Sequence, residues 1–194
     1  MLDTMEAEAV EVIERGEYRL RISYDMFPPN PREEWENLGI MLCGHRKYNL
    51  GDEQLKAADF DSWADVEAYI REELGGIEVM PLYLYDHGGI TISTKPFSDP
   101  WDSGQVGYIF TTAEQLEKFG TPRDKVRDAL LSEVKTYDAY LRGDVYQWTI
   151  TRCQTCNLGH EHDELLETVG SYFDIDAARE DALAELNAYI KPAE

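Results

Sequence analysis

The period of the apolar residues changes several times along this chain, and each change marks an element. Tyr18, Leu20, Ile22 and Tyr24 alternate with Arg19, Arg21 and Ser23, the period of two of a half-buried strand. Upstream, Ala9, Val10, Val12 and Ile13 stand among glutamates with Gly16 just beyond. That predicts a short peripheral helix at the N-terminus, within residues 1–16, with the glycine as its C-terminal cap. Residues 27–31 (FPPNP) are a loop, because each proline lacks an N–H and biases the preceding residue toward extended backbone. Residues 39–43 (GIMLC) form a short apolar run bounded by turn signals, a buried strand, and 45–52 returns to loop.

Ser62 followed by Asp65 is a capping box, and Trp63, Val66, Ile70 and Leu74 fall on one helical face before Gly75 and Gly76 stop the helix. Residues 79–85 and 90–93 flank Asp86, His87, Gly88 and Gly89, which is hairpin chemistry, and a further strand is expected at 106–110. Thr112 with Gln115 makes a second capping box. Thr121 and Pro122 then open a longer helix, with Val126, Leu130, Val134, Tyr137 and Leu141 as its buried stripe and Gly143 as its stop. Tyr146, Trp148 and Ile150 alternate as a strand, and a last helix covers about 175–190. No strict βαβ rhythm and no glycine-rich phosphate turn accompany these elements, which disfavours a doubly wound nucleotide fold. The expected fold is α+β, a mostly antiparallel sheet with helices packed on it, as a single domain over residues 1–194.

Composition supports an ordered core: 43% of the 194 residues are apolar, and twelve are Tyr and four Trp. Three cysteines and a start without a signal-peptide pattern point to the cytoplasm rather than to a secreted disulfide framework. No apolar run approaches the roughly 20 residues that cross a bilayer, so no membrane association is expected. The net charge of −21 changes the picture most. It opposes direct nucleic-acid binding, which depends on Lys and Arg displacing counterions. It favours a partner protein with a basic surface, of the kind that handles nucleic acid or acts in defence.

Two loops concentrate candidate chemistry. Residues 96–104 (PFSDPWDSG) combine prolines, turn-forming Asp and Ser, and Trp101. Such a loop serves either as a recognition surface, with Trp101 as an aromatic anchor beside Asp99, Asp102 and Ser103, or as a structural turn whose Trp plugs the edge of the core. Asp86, His87, Asp102 and Ser103 are also the residue types of acid–base or nucleophilic catalysis, which requires them within hydrogen-bond reach.

The second loop, 151–163, holds Cys153, Cys156, His160 and His162 as C-x2-C-x3-H-x-H. Four such ligands complete a structural zinc site if one short loop wraps the metal. The same string also fits an exposed turn or a redox dithiol. Cys43 and His45, as C-x-H, fit a second site with His87 or, for Cys43, a small buried hydrophobe on its strand.

Residues 31–53 (PREEWENLGIMLCGHRKYNLGDE), 81–110 (PLYLYDHGGITISTKPFSDPWDSGQVGYIF) and 140–148 (YLRGDVYQW) resemble a family of bacteriophage- and prophage-encoded proteins. The resemblance implies a phage or mobile-element setting and, by extension, an accessory role in host takeover or in countering host defence. In that setting the acidic residues gain a sharper reading as an inhibitor that imitates the phosphates of DNA. Its candidate carboxylates are Glu6, Glu8, Glu11 and Glu14, with Glu161, Glu164 and the rest of 161–167 and 174–185, all read as helix faces. The expected function is therefore non-enzymatic binding and modulation of a host protein through an acidic surface. The alternatives are a small hydrolase using His87 with Asp86, Asp102 or Ser103, and a soluble virion or replication factor.

Overall fold

The computed structural model describes residues 8–190. In chain order these form β1 (Ala9–Arg15), β2 (Tyr18–Tyr24), β3 (Ile40–Cys43), β4 (Glu53–Gln54), α1 (Trp63–Glu72), β5 (Ile77–Asp86), β6 (Ile90–Ser93) and β7 (Ser103–Thr111). They continue with α2 (Ala113–Phe119), α3 (Val126–Arg142), β8 (Tyr146–Thr155), β9 (Glu161–Tyr172) and α4 (Ile175–Ile190). The fold is α+β, with sheets in the orders β1-β2-β8-β9 and β4-β3-β7-β5-β6. Among the described residues only the β3–β4 pairing is parallel. Contacts gather into two units, residues 8–29 with 143–190, and Asn30–Arg142. The proline-rich run 27–31 spans one boundary between them.

In the first unit, Leu20, Ile22, Trp148 and Ile150 point to one face of the sheet and are buried with Ala182 and Leu186 of α4. In the second, Met41, Leu82, Leu84 and Ile109 pack with Leu130, Val134 and Tyr137 of α3. The other face of that sheet supplies Leu42, Tyr108 and Phe110 to a cluster with Val66 and Ile70 of α1. The N-cap half of both expected capping boxes forms, with Ser62 accepting from the Asp65 N–H and Thr112 from the Gln115 N–H, but the Gln115 Oε1 that would complete the second box has no partner among the described residues. No described helix is long and apolar enough to cross a membrane.

Three expectations need correction. The helix expected within 1–16 is strand β1 over its described part, with residues 1–7 outside the described residues. Ile13 lies opposite Leu20 and packs partly buried against the first core, and Gly16, at φ 65°, makes the hairpin turn rather than a helix cap. Pro122 remains extended and is followed by a single 3-10 turn, so α3 begins at Val126. The loop expected at 151–163 is instead the end of a long ribbon: β8 runs to Thr155, and Glu161–Tyr172, part of which was read as an acidic helix, is strand β9.

Candidate functional site

The β5–β6 turn and the loop entering β7 meet on the second unit. Tyr85 pairs with Ser103, and the Asp86 N–H donates to the Asp102 carbonyl at 2.8 Å, so the loop's last residues extend the β5–β7 ladder. Gly88, at φ 73°, lets the turn close. This register brings His87 Nδ1 to 2.7 Å from Asp102 Oδ2, although the two side chains are 69% and 39% exposed. The Tyr85 ring lies 6.0 Å from that of His87 and 5.7 Å from that of Phe97.

Asp99 is the loop's internal fastener. Its Oδ1 accepts the N–H groups of Trp101, at 2.8 Å, and Asp102, at 3.2 Å, an Asx turn. Those two backbone donors hold its carboxyl below the usual carboxylate range. The Ser103 hydroxyl donates to the Asp99 carbonyl and closes the loop further. Trp101 is 91% exposed on this braced loop. The structure thus rejects the reading in which its ring plugs the core. Beneath it lies an open hollow of about 330 Å³ whose walls include Arg46, Asp86, Trp101 and Gln105.

The four candidate catalytic residues are gathered, but only His87 and Asp102 bond to one another through their side chains. Asp86 accepts from Lys47 Nζ at 3.2 Å and from the Tyr48 hydroxyl at 3.1 Å. Desolvation opposes its ionisation, and those two hydrogen bonds outweigh it, leaving its pKa below the ordinary value. His87 and Asp102 form an oriented pair, but the Ser103 hydroxyl is directed to a backbone carbonyl, not to the imidazole. The geometry supplies a base and its orienter without an activated nucleophile. His45 stacks on Tyr48 at 5.1 Å and accepts the Lys47 and Tyr48 N–H groups through Nδ1. Cys43 is fully buried, so the C-x-H string makes no site with His87.

The Cys/His string occupies the tip of the β8–β9 ribbon. Cys153 pairs with Asp163 and Gln154 with His162, which puts Cys153 and His162 on opposite faces of the ribbon, since side chains alternate. Cys156 begins the turn, its N–H donating to the His160 carbonyl at 2.9 Å and its carbonyl accepting from Gly159 at 2.8 Å. Among the described residues no group of three or more His, Cys, Asp or Glu side chains is placed to hold a metal.

The proposed acidic surface is also rearranged. Glu6 lies outside the described residues and Glu8 is exposed just before β1. Glu11 bonds Arg179 at 2.7 Å, Glu14 bonds Arg19 at 2.9 Å, and Glu164 lies 3.7 Å from Arg152. Glu161 is exposed on β9. Three of the named carboxylates are therefore matched by arginines of their own unit, and they sit on strands rather than helices. No family model matches the chain, and no curated protein or solved structure does either.

The sequence reading passed over two assemblies. One is a buried ion network around Arg32, whose partners are 20 and 101 residues away, so no local signal announces it. The other is the polar face of the first sheet. That face is legible in the alternation of Arg19, Arg21 and Ser23 with the apolar residues of β2.

Proposed function

We propose that this is a non-enzymatic accessory protein of a phage or mobile element, acting in the host cytoplasm by binding a host protein through the 96–104 loop. The observation that carries the reading is Trp101, 91% exposed on a loop braced by the Asp99 turn and the Ser103 hydroxyl. A large aromatic ring held in water forgoes burial that a partner restores, and a braced loop loses little entropy on docking. Asp99, Asp102 and the net charge of −21 select a partner with a basic rim and speed its approach. Of the carboxylates of the phosphate-mimic version, Glu11, Glu14 and Glu164 contact arginines, so the reading rests on the loop and not on that array.

The test is affinity capture from host lysate across a salt series, with wild type and Trp101→Ala side by side. A partner released by salt and lost with Trp101→Ala, by a factor of about 30 in Kd or more, supports the reading. A partner held equally by both proteins removes Trp101 from it. The hydrolase reading keeps the His87–Asp102 pair as its one favourable observation. Esterase, amidase or phosphatase turnover that disappears with His87→Ala would establish it.

A further inference from the structure

The first unit's sheet has two faces of opposite character. One is the apolar face against α4. On the other, the register sets Arg19 opposite Thr151, Arg21 opposite Thr149 and Ser23 opposite Gln147. These six residues floor an open hollow of about 450 Å³, bordered by Met26 and Phe27. That is within the range of roughly 300–1,000 Å³ typical of ligand sites.

Arg19, one of the two arginines of the floor, is already matched by carboxylates. Arg19 donates to Glu14 at 2.9 Å and to Asp163 at 2.6 Å. Asp25, at the hollow's edge, spends its two oxygens on the N–H groups of Phe27 and Ser171, each at 3.0 Å. An anion would meet a paired guanidinium in a chain of strongly negative charge, and a cation would meet carboxylates that are already bonded. The neutral groups have spare capacity. Gln147 reaches Ser23 at 3.4 Å, Thr149 reaches Thr168 at 3.4 Å, and Thr151 reaches the Arg19 carbonyl at 3.5 Å, all at the long limit of a hydrogen bond. Each of these side chains can both donate and accept.

Above this floor stands Phe27, 92% exposed. Its backbone is tied to Asp25, and Pro28 and Pro29 stiffen the chain that follows. A solvent-facing aromatic ring on a tethered backbone, beside neutral donors and acceptors, matches a pyranose, which has an apolar C–H face and a rim of hydroxyls that donate and accept. We infer that this face of the first unit binds a neutral oligosaccharide, with Phe27 stacked on one sugar ring and Ser23, Gln147, Thr149 and Thr151 meeting its hydroxyls. This site is separate from the Trp101 loop and does not depend on that loop's function.

The experiment is an amide NMR titration of the full chain with cellohexaose, chitohexaose, maltohexaose and xylohexaose. Sodium phosphate and a sulfated oligosaccharide serve as the charged arms. The expected result is saturable shifts confined to the amides of 19–27 and 147–151 with at least one neutral glycan, at a Kd of about 1 mM or tighter. Phe27→Ala should weaken that binding about tenfold or more without altering the rest of the spectrum. Leu158→Ala, which removes another exposed apolar side chain of the same unit, should bind as wild type does. The inference is overturned if no neutral glycan shifts these amides up to about 10 mM. Shifts produced only by the charged arms, or undiminished glycan binding by Phe27→Ala, overturn it equally.

Discussion

Arg32 and Asp52 meet as a two-point ion pair inside the second unit: Nε lies 2.9 Å from Oδ1, and Nη2 bonds Oδ2. The Arg32 side chain is 1% exposed. Its remaining donors go to Glu133, at 2.9 Å, and to the Gly39 carbonyl, at 2.7 Å. The carboxylates in turn accept backbone N–H groups, Asp52 from Met41 at 2.6 Å and Glu133 from Leu38 at 2.8 Å. One guanidinium thus ties the entry to β3, the turn before β4 and α3 together. Burial opposes its charge, but the bonds and charges of Asp52 and then Glu133 outweigh that, and its pKa is raised.

Removing the cation leaves the Asp52 and Glu133 carboxylates without their counter-charge. Arg32→Ala is expected to cost about 3–5 kcal/mol, the usual penalty for breaking a buried pair by deleting one partner. Arg32→Lys should fall between it and wild type, because an ammonium keeps the charge but not the fork geometry. Urea unfolding followed by circular dichroism reads both. An Arg32→Ala midpoint equal to that of wild type would show that the network makes no net contribution to stability.

Gly107 on β7 pairs with Cys43 on β3, and a Cβ there would stand 2.1 Å from the Leu42 carbonyl oxygen and 2.9 Å from the Cys43 Cα. Both obstacles are backbone, so no rotamer change relieves the clash. Gly107→Ala should therefore prise β3 from β7 at a cost of about 3 kcal/mol or more. Gly104→Ala on the same strand meets nothing within 4 Å and should stay within about 0.5 kcal/mol of wild type. Thermal melting of the two variants makes the comparison, and similar melting points would contradict so close an approach of β3 to β7.

What the sequence disclosed depended on how local the signal was. The Ser62 and Thr112 caps and the α3 stripe from Val126 to Tyr137 rest on contacts within a few residues, and all of them form. Residues 9–15 misled because Ala9, Val10, Val12 and Ile13 fit a helical face, whereas in strand β1 Ile13 packs toward the core and Val10 and Val12 stand exposed on the other side, an arrangement that pairing with β2 decides. Residues 161–165 misled for a different reason. All five are exposed on the outer ribbon, so no alternation remains to betray a strand. At the candidate site, the Asp99 turn was readable from its residues, but whether Trp101 points inward or outward depends on the packing around the loop. That had to be seen.

The three thiols should separate by environment. Burial, with a smaller push from Asp52, drives the Cys43 thiol up to about 12. In the Cys156 turn, backbone N–H groups, led by that of Leu158, draw its thiol below the ordinary value, whereas desolvation and then Glu161 and Asp163 raise that of Cys153. Iodoacetamide labelling at pH 7, read by mass spectrometry, should modify Cys156 first, Cys153 later and Cys43 only on unfolding, since the thiolate is the reacting form. The folded pKa of Cys43 exceeds its unfolded one, so its contribution to stability is intact below about pH 9 and declines toward pH 12. The stability deficit of Cys43→Ala should accordingly shrink as pH rises from 8 to 10, and a deficit that grows would contradict the assignment.

The four tryptophans span the whole range of exposure, with Trp101 at 91% and Trp148 at 1%. Trp148 is also anchored, its indole N–H shared between the Tyr172 hydroxyl at 3.1 Å and Asp181 at 3.2 Å. Trp101→Phe should therefore remove the emission most readily quenched by acrylamide, shift the remaining spectrum to the blue and leave the melting point unchanged. An unaltered quenching profile would mean that the Trp101 ring packs against its own chain in solution. The measurement matters for function because a Trp side chain carries roughly 200 Å² of surface, which on complete burial is worth on the order of 5 kcal/mol before binding costs. If the ring is free in the isolated protein, that free energy is available to a partner. If it is already packed, the 96–104 loop has no anchor to offer, and the binding surface has to be sought elsewhere on the molecule.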